Sequence, residues 1–199
     1  DYKVYHPTSG TSPCTGGYNN TGDGTLAHKY ENSACIYCGE PEPPKDVEGY
    51  YQIINQWQLR WFTKEVNNGR TDINARLMND ITMDSTEWTP IGTSNEHPFK
   101  GTFDGNGHTI SKLTCTDAGA EYVGLVGYAS GAIIQNVTVK DSSFVGERYI
   151  GAVCGSIKDG TITGCTNSGS TVSGNYYLGG IVGQAYTVQR CGIAAIPAL

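Results

Sequence analysis

Three times in its second half the chain repeats a phrase that opens on tyrosine and closes on glycine. The phrases are Tyr122-Val-Gly-Leu-Val-Gly127, Tyr149-Ile-Gly-Ala-Val-Cys-Gly155 and Tyr177-Leu-Gly-Gly-Ile-Val-Gly183. Their closing glycines stand at 127, 155 and 183, a fixed step of 28 residues. A period of that length marks a repeat architecture, in which each unit buries its apolar face only against its neighbours. The feature constrains the fold strongly and moves the functional expectation from enzyme towards extended surface.

Composition agrees with a strand-and-turn chain. Of 199 residues, 27 are glycine and 13 tyrosine, and charged residues make up only 16%. Helical proteins carry more charge and less glycine. The net charge of −6 is not gathered into patches. Nucleic-acid binding, which needs a basic stripe to neutralise phosphates, is therefore not expected. Nor is membrane insertion, because no apolar run approaches the roughly 20 residues that span a bilayer. The final segment, Ile193 to Leu199, is short and contains Pro197. The first residue is Asp1 and no signal peptide precedes it, which predicts a fragment of a longer protein. No capping element is visible after the third phrase. That predicts either further chain in the parent or end-to-end self-association through the last coil.

Three segments follow from the pattern. Residues 1–39 are polar and turn-rich, and hold three of the seven cysteines. Residues 40–48 form a linker, stiffened by Pro41, Pro43 and Pro44. Residues 49–199 carry the repeats. Within them Tyr50-Tyr-Gln-Ile-Ile54 reads as a strand, and Asn55 as the N-cap of a helix reaching about Val66. Trp57, Trp61, Phe62 and Val66 give that helix its cleanest apolar spacing, with Leu59 less well placed. Asn67-Asn-Gly69 stops it. Asn74–Met78 and Asp80–Met83 read as short strands.

Apolar residues then recur with a spacing of +3 and +2. The sets are Ile110, Leu113 and Cys115; Ile134, Val137 and Val139; and Ile162, Cys165 and Asn167. We expect each residue to stack on its counterpart, with a shift of 24 residues at the first step and 28 at the second. The first tyrosine phrase is one residue shorter than the other two. A bulge must absorb the difference if side chains are to keep their facing.

Trp88-Thr-Pro-Ile-Gly92, Phe99-Lys-Gly-Thr-Phe-Asp-Gly-Asn-Gly-His-Thr-Ile110 and Tyr122-Val-Gly-Leu-Val-Gly-Tyr128 together resemble the GLUG-repeat family of bacterial cell-surface and secreted proteins. Gln58-Leu-Arg-Trp-Phe62 and Val66-Asn-Asn-Gly69 look like that family's lead-in helix, and the resemblance covers roughly residues 50–192. It implies a right-handed parallel β-helix whose first coil is closed by the helix. Such repeats also occur beside the catalytic domains of bacterial proteases that cleave immunoglobulin A, without being the catalytic part.

Several constellations could carry chemistry. Cys14, His28, Cys35 and Cys38 follow the spacing C-x13-H-x6-C-x2-C, and Gly39 completes a knuckle-like turn. Three thiolates and an imidazole would hold a closed, structural zinc ion. The segment has too few large apolar groups to fold unaided. A disulfide from Cys14 to Cys35 or Cys38, and free thiols in an unstructured tail, are the competing readings. Cys115, Cys154, Cys165 and Cys191 read as small buried apolar residues, with Cys115 at the place of Val139 and Cys165 at that of Val137. Asp104 and His108 could form an acid–base pair, but Asp-Gly-Asn-Gly reads better as a tight turn. Asp141, Glu147, Asp159, Arg148 and Lys158 do not follow the repeat and read as a solvated face. No HExxH, P-loop or dinucleotide fingerprint is present.

Tyr122, Tyr149 and Tyr177 are the candidate ligand-binding residues. Exposed, they would form an aromatic column able to stack on sugars or grip a host protein. Packed over the coil corners, they would be structural, and being locked to the repeat favours this. The sequence therefore predicts an all-β solenoid with an N-terminal capping helix, preceded by a Cys/His-stapled segment. The expected role is that of a non-catalytic extracellular stalk or adhesin-like surface. The alternative is an accessory domain of a larger secreted protease or carbohydrate-active enzyme.

Overall fold

The computed structural model describes residues 43–186, together with the backbone of 30–31, 34–35 and 191–192. The chain divides into two compact units, Asp1–Pro44 and Lys45–Leu199. In the first unit the described residues form one antiparallel pair, Tyr30–Glu31 with Ala34–Cys35, in which Tyr30 faces Cys35. Cys14, His28 and Cys38 lie outside the described residues, as does the side chain of Cys35, so the proposed staple does too.

The second unit is a parallel β-solenoid. Each complete coil contributes five short strands, as in Ile133–Gln135, Thr138–Lys140, Ser143–Val145, Arg148–Gly151 and Cys154–Lys158. Each strand pairs in parallel with its counterpart one coil away, giving five sheets. The longest sheet has six strands and runs from Tyr50–Ile53 through Asn74–Leu77, Thr102–Asp104, Ile133–Gln135 and Thr161–Thr163 to Cys191–Gly192.

Strand centres point inward and stack as columns. One column is Phe103, Ile134 and Ile162; another is Ile81, Ile110, Val139 and Asn167; a third is Cys115, Phe144 and Val172. Nearly all of these side chains are buried, and burying each large one contributes about 1.5–3 kcal/mol before conformational entropy is set against it.

At the first step the stacking differs from that expected of the apolar spacing. Ile134 stacks on Phe103, not on Ile110, and Val139 stacks on Ile110. Cys115 correspondingly lies under Phe144, not at the place of Val139. The cause is geometric. Successive strand centres such as Ile134, Val139 and Phe144 are five residues apart, so the apolar pattern matches itself after sliding by one side of the coil. Phe103 and Ile110 are seven apart, because the turn at Asp104–His108 is two residues longer than its successor. The second step, Ile134 to Ile162 and Val139 to Asn167, has the expected shift of 28.

The short first phrase is absorbed as a bulge. Val123 pairs with Ile150 at a shift of 27, whereas Val126 pairs with Cys154 at a shift of 28. The extra residue is taken up at Gly151-Ala152-Val153, where Leu125 N donates to Ala152 O and Val126 N to Val153 O.

The helix α1, Gln56–Asn67, closes the first coil. The Asn55 side chain accepts from Trp57 N and Gln58 N, satisfying two of its free first-turn amides. Leu59, Trp61, Phe62, Thr63 and Val66 form the buried face. Phe62 packs edge-on against Phe99 at 6.0 Å and lies 6.2 Å from Phe103, at the foot of a core column. Trp57, expected on this face, stays half-exposed, while Leu59 is 0% exposed. Positions 59, 62, 63 and 66 form the tighter stripe at 3.6 residues per turn. Arg76 pins the entering chain, pairing with Asp46 at 2.8 Å, Glu48 at 2.9 Å and Asp104 at 3.4 Å.

Candidate functional site

Tyr122, Tyr149 and Tyr177 come together as one column on the sheet formed by Glu121–Val123, Arg148–Gly151 and Tyr176–Gly179. Their rings stack nearly parallel: Tyr122 on Tyr149 at 4.9 Å and 7°, Tyr149 on Tyr177 at 5.0 Å and 12°. At the lower end Tyr128 meets Tyr122 edge-on, at 5.2 Å and 87°. The column is not in the core. Tyr122 and Tyr149 are half-buried, and Tyr177 is 53% exposed.

All three tyrosines adopt the left-handed backbone conformation, with φ of 59°, 59° and 56°. For a bulky residue this costs roughly 1–2 kcal/mol each. Ring stacking offsets that cost, since an aromatic pair contributes about 0.5–1.5 kcal/mol beyond its buried area. The closing glycines belong to the same device. A β-carbon on Gly127 would lie 2.5 Å from Tyr122 O, on Gly155 2.5 Å from Tyr149 O, and on Gly183 2.6 Å from Tyr177 O. Each kinked tyrosine turns its carbonyl into space that only glycine leaves free. The repeated phrase is thus one structural unit, a left-handed tyrosine and the glycine its carbonyl rests against.

Arg148 braces the column from the side. It pairs with Glu121 on the preceding coil and lies 5.6 Å over the Tyr149 ring. Burial, with Tyr149 and Glu121 nearby, raises the Tyr122 pKa, and burial with Tyr186 and Asp159 raises that of Tyr128. Both phenols are therefore neutral at physiological pH. Because the rings face one another, the inner ring faces are not available to a ligand. Tyr149, covered on both faces, is left with its ring edge and hydroxyl, while the outer face of Tyr177 carries no stacked ring among the described residues.

The other candidates separate. Asp104 and His108 do not pair with each other. His108 Nδ1 lies 3.1 Å from Asp80, while Asp104 accepts from Asn106 N at 2.9 Å and meets Arg76. Burial alone would raise the Asp104 pKa, but hydrogen bonds from Asn106 N, Gln135, Asn136 and Arg76 outweigh it and hold the carboxyl below its usual range. Asn106 is left-handed, as expected of the turn. Asp141, Glu147 and Asp159 stand exposed at coil corners. Cys115, Cys154 and Cys165 are buried free thiols. Burial pushes Cys115 up to about 12 and raises the other two, so none is a nucleophile at neutral pH.

Sequence reasoning missed one feature. A groove of about 300 Å³ lies between α1 and the segment from Trp88, lined by Arg60, Thr63, Lys64, Asn67, Asn68, Trp88 and Thr89. The pairing of Arg60 and Lys64 at i, i+4 was the one available signal, since it sets two cations on one helix face. Among the described residues no group of three or more His, Cys, Asp or Glu side chains is arranged to hold a metal ion. No helix there is long and apolar enough to cross a membrane.

No family model matches the chain. A stretch of 96 residues, 48% of the chain, is 44% identical to halomucin from Haloquadratum walsbyi, and the match spans 1% of halomucin's length. Among solved structures, the chain is similar to a Bacteroides ovatus protein described as a candidate immunoglobulin A1 protease. The likeness has a TM-score of 0.45 and 17% identity, over 72% of this chain and 64% of that one.

Proposed function

We propose that the solenoid is a non-catalytic spacer module of a larger extracellular or cell-surface protein, and that the tyrosine column is its brace and not its ligand platform. The carrying observation is the stacking itself. Sugar-binding aromatics offer a ring face to the apolar face of a sugar, whereas the inner faces here cover one another. The short shared stretch with a far longer protein supports a place as one module among many.

The test is a glycan and matrix-protein array, probed with the wild type, Tyr149→Phe and Tyr149→Ala. Under the spacer reading no signal depends on Tyr149, while thermal stability drops for Tyr149→Ala. A ligand bound by the wild type and lost in a still-folded Tyr149→Ala would replace the spacer reading with an adhesive one.

A further inference from the structure

The groove beside α1 differs in chemistry from the column. Its floor is Trp88, 2% exposed, whose indole Nε1 donates into the solenoid to Gly124 O at 3.1 Å. The ring's polar atom is thus satisfied inside, and the indole backs the groove from beneath while Arg60 lies over its ring. Asn67 closes one end, with its amide spent on Pro90 O at 3.0 Å and Gly92 N at 2.8 Å. Those two bonds tie the helix C-terminus to the segment opposite, so the walls are fixed before any ligand arrives.

Arg60 lies 5.8 Å over the Trp88 ring and pairs with Asp84 at 3.1 Å. Its terminal nitrogens also reach Thr86 and Glu87 O, while its Nε has no partner. Lys64, one turn along the helix, meets no carboxylate among the described residues. Asn68 and Thr89 add an amide and a hydroxyl with no hydrogen-bond partner there. On a chain of net charge −6, this is a recess with spare positive charge, spare hydrogen-bonding groups and the aliphatic stem of Arg60.

We propose that this groove binds a single carboxylated sugar ring, of the uronic- or sialic-acid class. Lys64 takes the carboxylate, Asn68 and Thr89 take ring hydroxyls, and the ring's C–H face lies towards the aliphatic stem of Arg60, which covers Trp88. The volume suits one ring and falls at the small end of known ligand sites, about 300–1,000 Å³. A neutral sugar would leave the Lys64 charge unanswered. A plain carboxylate such as acetate would leave the Arg60 stem, Asn68 and Thr89 unused.

Saturation-transfer and heteronuclear NMR titrations test this directly, on the whole chain. The ligands are glucuronate and N-acetylneuraminate, with glucose and acetate as controls, plus a short glycan ending in each acid to tell a free sugar from a chain end. Shifts are expected at Lys64, Asn68 and Thr89 with the acidic sugars and not with glucose. Lys64→Ala should weaken binding ~10-fold, the scale of one charge-assisted hydrogen bond. Lys64→Glu should abolish it, and Thr89→Ala should weaken both acids alike. Lys64 and Thr89 are exposed, so these variants keep the fold. Equal shifts with acetate or glucose, no saturable binding of either acid, or unchanged binding in Lys64→Glu would overturn the proposal. None of these outcomes bears on the spacer reading, which is tested at Tyr149.

Discussion

The carbonyl oxygen of Tyr149 rests 2.5 Å from the point where a β-carbon on Gly155 would stand. The same imagined carbon would lie 2.8 Å from both Gly127 O and Val123 N, so backbone crowds it on several sides and none of it can swing away. Gly155→Ala should therefore destabilise the solenoid by about 1–3 kcal/mol or more, the usual cost of overpacking. Gly180 sits in the next phrase with nothing within 4 Å of its imagined β-carbon. Gly180→Ala should be neutral, or stabilise by up to about 1 kcal/mol through the unfolded chain. Urea denaturation of the pair measures both. Equal effects would mean that crowding is not what fixes glycine at 155.

The tyrosine column opposes backbone strain with ring contact, and substitution can separate the two. Tyr149→Phe keeps both and should change stability by less than about 0.5 kcal/mol. Tyr149→Ala keeps the left-handed backbone and loses both ring contacts, a cost of about 1–3 kcal/mol. Tyr149→Gly loses the contacts but relieves the strain, and should be the more stable of the two truncations by roughly 1 kcal/mol. Thermal melts give the order. Alanine more stable than glycine would show that the left-handed geometry carries no strain here.

Asp104 predicts the acid limb of stability. Its folded pKa lies below the ordinary 3.8, so the stabilisation it supplies is complete above that value. It is lost as pH falls below 3.8 through the folded pKa. Asp104→Asn should be less stable at pH 7 and show a shallower fall in stability on acidification. Identical acid limbs in the two proteins would assign the pH dependence to other carboxylates.

Thiol chemistry reports on the core. Cys115, Cys154 and Cys165 should resist alkylation at pH 7.5 in the native protein, because burial raises the pKa of each. They should label fully in denaturant. Peptide mass spectrometry separates them from the remaining cysteines. Rapid native labelling at Cys154 would contradict its place in the core.

Zinc in the first unit remains a proposal. If Cys14, His28, Cys35 and Cys38 hold the ion, purified protein should carry close to one zinc per chain by elemental analysis. Cys38→Ser should lose most of it, while the solenoid's melting transition stays in place. Intact-mass evidence of a disulfide with no zinc would establish the competing reading.

Much of the solenoid is legible in the residues. The period announces the coil, Asn55 announces the helix start, and Asn67-Asn-Gly69 announces its end. The slip in pairing Ile110 with Ile134 shows where legibility stops. Sides of equal length make a pattern that fits its neighbour as well as itself, and only the hydrogen-bonded register tells them apart. Left-handed tyrosines were not foreseeable from residue type, because that conformation is expected of glycine or asparagine. Their recurrence was visible; the reason for it, a carbonyl seated on a glycine, was not. The groove was hidden because Lys64 and Trp88 are remote in sequence and meet only when the helix lies back over the first coils.

The tyrosine column also acts as a gauge of coil length. A coil with one residue too many would carry its tyrosine round the corner and out of the stack, unless a bulge such as Gly151-Ala152-Val153 took up the slack. Whole added turns keep the stack, whereas a few extra residues must be taken up in a bulge or a longer turn, as at Asp104–His108. A protein built this way can change its reach by duplicating or deleting complete turns while every remaining contact stays as it was, so its length is free to drift where its cross-section is not.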